Sequence, residues 1–186
     1  MKPPNEKPGG TCDHAGPETD CAHSLIRTAL PFKPDADALR ADDLRRAAYH
    51  EAGHVIAARH FKLYAWADIF PTGTKKPREE KTFIGRTYHQ HTTPFREAVI
   101  GWAGLIATDI PTDPEALTDW GVDIVFDYTM TMIDLEDEMS ATDRASILGH
   151  PQLWRACRTA GAILARRIKE VGLEAESLMC KWREGA

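Results

Sequence analysis

The run Ala47-Ala48-Tyr49-His50-Glu51-Ala52-Gly53-His54-Val55-Ile56-Ala57-Ala58 constrains this chain more than any other segment. Apolar positions at Ala41, Leu44, Ala48, Val55 and Ile56, with no proline among them, predict an amphipathic helix. On a helix His50 and His54 share one face and can grip a single metal ion, with Glu51 beside them to take a proton from water. Gly53 is the odd member. Glycine in a helix interior costs roughly 1 kcal/mol relative to alanine, so a close neighbour is expected where its side chain would be. The carboxylates between Asp35 and Asp43 suit the positive end of the helix dipole.

With 186 residues, 42% of them hydrophobic, the chain can bury one domain-sized core. The net charge of −5 gives no support for a nucleic-acid surface. The longest apolar stretch, Ala98 to Ala107, is too short to span a bilayer, so no direct membrane insertion is expected. The start, Met1-Lys2-Pro3-Pro4-Asn5-Glu6-Lys7-Pro8, lacks an apolar signal core, and a cytoplasmic location is the expectation.

Residues 1–34 are rich in proline, glycine and polar groups and read as an extended tail before a domain over 35–186. The tail carries a near-repeat, Cys12-Asp13-His14 and Cys21-Ala22-His23, whose thiols and imidazoles form a candidate metal clip of no standard spacing. A first helix is predicted over 36–61. Strands over 65–70 and 82–88 flank a basic loop and pair as one antiparallel hairpin. Thr93 caps a second helix over 94–108, with Pro94 in its first turn and Phe95, Val99, Trp102, Ala103 and Ile106 as its core stripe. Thr118 caps a third over 118–138, whose face is read as Trp120, Ile124, Tyr128 and Ile133. A last helical region covers 152–170, with a break at Gly172. The fold class is α+β, predominantly helical, with one small hairpin.

Zinc in a hydrolase takes three protein ligands and keeps one position for water. His60 lies about 120° around the helix from His54, and the glycine that would turn the chain back is replaced by Ala57, so His60 reads as a helix-end cation. A carboxylate at the head of the third helix is preferred: Asp119, with Asp123 as the alternative one turn on. His89 and His91 alternate onto one strand face and are candidate oxyanion contacts.

The pattern resembles the peptidase domain of the FtsH family, the AAA+ zinc proteases of peptidase family M41. The family's Ala-Tyr-His-Glu-Ala-Gly-His stands here as Ala48 to His54, its Ile-x-Pro-x-Gly as Ile69 to Gly73, its Leu-Gly-x-Thr as Ile84 to Thr87, and its Ala-Gly-x-x-Ala as Ala103 to Ala107. The resemblance covers roughly residues 40 to 170 and implies a zincin-like, FtsH-peptidase-like fold. It implies Zn2+ bound by His50, His54 and an aspartate at the start of a later helix, Asp119 or Asp123, with Glu51 as catalytic base. Thr108 stands where the family carries an acidic residue. No phosphate-binding loop of the ATPase module occurs in this sequence. The expected activity is zinc-dependent hydrolysis of peptide bonds in a peptide or protein substrate, by a stand-alone peptidase acting on accessible chains or by one with a separate ATPase partner or a homo-oligomeric assembly. The alternatives are a zinc hydrolase of a small amide and a non-catalytic interaction protein that keeps the fold.

Overall fold

A computed structural model describes residues 35–74, 80–111, 113, 115–132 and 140–185. The tail with Cys12, His14, Cys21 and His23 lies outside these residues, as does Ile133. In chain order the elements are α1 (Ala36–His60), β1 (Ala65–Pro71), β2 (Phe83–His89), α2 (Pro94–Asp109), α3 (Asp119–Met132), α4 (Ala141–Leu148), α5 (Leu153–Arg166) and α6 (Ile168–Gly185). The described fold is thus predominantly helical with one two-stranded antiparallel sheet. No described helix is long and apolar enough to cross a membrane.

Local chemistry sets the ends of α1. Asp35 caps its first turn by accepting from the Ala38 amide at 2.6 Å. At the other end Lys62 adopts φ +61, the Leu63 amide donates to the Ala58 carbonyl at 3.1 Å, and the Lys62 amide donates to that of Arg59 at 3.0 Å. This paired closure satisfies carbonyls that the last turn would leave open, and it turns the chain into β1. The strands pair from Ala65↔His89 to Pro71↔Phe83. Asp43 on α1 accepts from both the amide and the hydroxyl of Thr82, at 2.9 and 2.8 Å, which pins the foot of β2 to the helix.

The core is a seam of small residues between α1 and α2, filled out by Ile56, Trp102, Ile106 and Leu164. A side chain on Gly53 would collide with the Ala103 carbonyl oxygen and stand 2.6 Å from Cβ of Ala107. The close neighbour expected at this turn is therefore the backbone of α2. On the other side of α1, Val171, Ala175 and Leu178 of α6 are buried.

Three expectations need correction. The helix at the C-terminal end breaks at Arg167, not at Gly172, and α6 runs unbroken through Gly172. A further helix, α4, occupies the segment before Pro151. Most consequentially, α3 is turned about its axis: Trp120, Ile124 and Tyr128 are 65%, 46% and 60% exposed, while Val122 is buried and Phe126 stacks on Trp102 at 5.3 Å. Both faces of α3 are apolar, so its periodicity could not select one. The choice comes from the partner helix, where Gly161 of α5 leaves a hollow that Val122 fills.

Gly53→Ala tests the seam, because intrinsic propensity and packing predict opposite signs. Propensity alone would stabilise the helix by about 1 kcal/mol. The collision with α2 backbone is expected to prevail, lowering unfolding free energy by about 1–3 kcal/mol in urea titrations.

Candidate metal centre

His50 and His54 leave α1 on one face, and each ring is fixed through its Nδ1 by α2. His54 Nδ1 lies 2.8 Å from the carbonyl oxygen of Ile100. A carbonyl only accepts, so the proton sits on Nδ1 and the lone pair on Nε2. Thr108 donates its hydroxyl to the Gly104 carbonyl at 3.0 Å and stands 3.1 Å from His50 Nδ1. With its proton committed, Thr108 accepts from His50, which again leaves the lone pair on Nε2. Gly104 completes the seat, since a side chain there would meet the His54 ring, with Nδ1 at 2.8 Å.

The third member of the group is Asp143. Its Oδ2 lies 3.3 Å from His50 Nε2 and its Oδ1 3.3 Å from His54 Nε2, while the two Nε2 atoms are 3.1 Å apart. Asp143 sits in the first turn of α4. Ser140 caps that helix by accepting from the Asp143 amide at 3.0 Å, and its hydroxyl donates to Asp143 Oδ2 at 2.7 Å. The Ser140-x-x-Asp143 spacing is that of a capping box, a signal present in the sequence and not used in selecting the carboxylate. Gly101 lets α4 lie close on α2, because a side chain there would press on Ile147 Cγ1 at 3.1 Å.

Asp119 and Asp123 are not brought to the histidines. Asp119 is at the solvent end of a 2.7 Å ion pair with Arg158, and Asp123 meets the same guanidinium at 3.1 Å. Thr118 does cap α3, accepting from the Gly121 amide at 3.1 Å, but the rotation of the helix carries its acidic edge toward α5. His60 is exposed and lines a separate cleft with Trp154 and Arg166. His89 is 3.6 Å from Glu97, and His91 is exposed.

Glu51 points toward β2. It is 5% exposed and lies over Gly85, where a side chain would stand 2.5 Å from the Glu51 carboxyl carbon. Thr87 donates to its Oε2 at 2.6 Å. The alternation of the strand puts Gly85 and Thr87 on the same face, one making room for the carboxylate and the other holding it.

His50, His54 and Asp143 thus form a cluster able to chelate a metal ion, each offering a ligand atom within 4.8 Å of the others. Two ligands bound at about 2.0–2.1 Å around a tetrahedral zinc lie about 3.3 Å apart, close to the separation of the two Nε2 atoms and to that of each Nε2 from its nearer Asp143 oxygen, a different oxygen for each histidine. The donor set fits as well. Two lone pairs and a carboxylate face one point, and only a proton or a cation relieves them. Burial alone would depress the His54 pKa, but the adjoining Asp143 raises it to about 9. Burial would raise that of Asp143, yet the two imidazoles hold it well below the usual carboxylate range. Neither a protein-family model nor a curated protein matches this sequence, so the geometry carries the functional reading.

Replacing members of the group separates ligands from bystanders. Asp143→Ala is expected to weaken zinc binding by more than about 100-fold in competition with a chromophoric chelator, and Thr108→Val by about 10-fold, the scale for a group that only orients a ligand. Asp119→Ala should leave the affinity unchanged. Equal losses in Asp119→Ala and Asp143→Ala would refute this assignment.

Proposed function

We propose that the chain is a zinc-dependent metallopeptidase whose metal ligands are His50, His54 and Asp143 and whose general base is Glu51. The observation that carries this reading is the triangle of two Nε2 atoms and one carboxylate at tetrahedral spacing, with a buried glutamate on the adjacent residue. A bound zinc ion supplies Lewis acidity and lowers the pKa of water. Glu51 accepts a proton from the attacking water and returns it to the leaving amine. Its charge contributes to raising the pKa of His54, which supports a base in the neighbourhood of the ligands. Thr87 keeps one carboxylate oxygen in place, so the base meets the water with little reorganisation.

Peptides are favoured as substrates by the hairpin. The described sheet has two strands, so β2 has a lateral edge that no third described strand pairs, on the element that also carries Gly85 and Thr87. An extended chain added there gains main-chain hydrogen bonds and needs little sequence preference. A folded substrate must first be unfolded, which fits a separate ATPase partner or a self-assembled chamber.

The burial of Glu51 supports a second reading, a metal-holding interaction protein without turnover. Glu51→Gln distinguishes the two. For a peptidase this variant should retain stoichiometric zinc and the wild-type melting temperature while hydrolysis of an unstructured protein such as casein falls by at least about 100-fold. Zinc-loaded wild-type protein that cleaves no unstructured polypeptide or peptide library would favour the non-catalytic reading.

A further inference from the structure

The face of the hairpin turned away from Glu51 is unusually apolar. Trp66, Phe70, Ile84 and Tyr88 are 40%, 45%, 52% and 38% exposed, and strand alternation puts all four on that outer side, with Tyr64, 72% exposed, immediately before β1. Trp66 and Tyr88 oppose each other across the ladder and stack at 4.3 Å, and Phe70 opposes Ile84. Between these apolar pairs lies one charged pair, Asp68 opposite Arg86. Cross-strand partners of opposite sign normally join. Here they do not: Arg86 lies over the Tyr88 ring and reaches its hydroxyl, and among the described residues Asp68 has no cation within ion-pair distance. Lys181 of α6 borders the same cleft as Asp68 without meeting it.

We infer that this face is a self-association surface, on which two copies of the chain pack hairpin against hairpin about a two-fold axis parallel to the strands. That axis lays β1 of one copy over β2 of the other. Asp68 then faces the second copy's Arg86, and the reciprocal pair forms by symmetry, as an isologous contact requires. Trp66 stands over the second copy's Tyr88, and Phe70 over its Ile84. An axis across the strands would instead set Asp68 against Asp68, which its charge opposes. At roughly 200 Å² for each large side chain, the five expose about 500 Å² per copy. Pairing two copies buries about 1,000 Å², the lower bound for a specific interface, so the dimer is reversible rather than obligate. Because Glu51 lies on the opposite side of the sheet, the association leaves the metal cluster and its chemistry untouched and does not depend on the peptidase reading.

Sedimentation velocity of the full chain over a range of about 1–200 µM tests this, with a wild-type midpoint expected in the tens of micromolar, roughly. Asp68→Arg and Arg86→Asp, each alone, create like-charge contacts across the two-fold and should be monomeric throughout. Mixing the two variants should restore a heterodimer, and the double variant D68R/R86D a homodimer, because each then regains both opposite-charge contacts. The rescue on mixing also shows that neither single variant is merely misfolded. A wild-type chain monomeric at every concentration overturns the proposal, and so does association that both single variants retain. Failure of the mixture and of the double variant to associate, with circular dichroism showing both folded, overturns the proposed two-fold arrangement.

Discussion

Everything in the described domain depends on how closely α1 can approach α2. The approach is set at Gly53, where the absent side chain lets the Ala103 carbonyl of α2 lie against the helix turn. At that separation the Ile100 carbonyl reaches His54 and the Thr108 hydroxyl reaches His50. Helices held a typical 8–10 Å apart by larger residues would leave both rings without these partners, free to take either tautomer. The seam therefore does more than bury apolar area. It determines which nitrogen of each imidazole carries a proton, and hence which atoms are available to a cation.

What could be read from the sequence follows a physical division. The ends of α1, the start of α2 at Pro94 and the cap at Thr118 rest on interactions within a few residues and lie where those residues predict them, although Thr93, which precedes α2 as expected, makes no capping hydrogen bond with its side chain. The hairpin was legible for the same reason, since alternation and β-branched content are local properties. The orientation of α3 was not. Trp120, Ile124 and Tyr128 form as good an apolar stripe as Val122, Val125, Phe126 and Met130, and only the hollow at Gly161 on a distant helix decides between them.

The carboxylate beside the histidines shows the same division with a different lesson. The preference for Asp119 and Asp123 rests on the cost of leaving helix carboxylates unpaired, which a cation would offset, but that cost does not say which cation answers them. Arg158 on α5 answers their charge instead. Asp143 also stands at a helix start, three residues after a serine that caps the helix and steers the carboxylate. Two helix starts thus competed for one role. At the second of them Gly101 eases the approach of α4 to α2, since a side chain there would press on Ile147 and Ser146.

One consequence of this arrangement concerns what holds α4 in place. Residues 50 and 143 are 93 positions apart in the chain, yet they meet at one corner through a helix of only 8 residues. So short a helix has little stability of its own, because nucleation outweighs the few bonds it gains. An ion shared between His50, His54 and Asp143 would act as a reversible staple across that long loop. A covalent staple of similar span removes about 4–5 kcal/mol of chain entropy from the unfolded ensemble. With such an ion bound, the shortest helix of the fold would owe more of its placement to coordination than to its own backbone bonds.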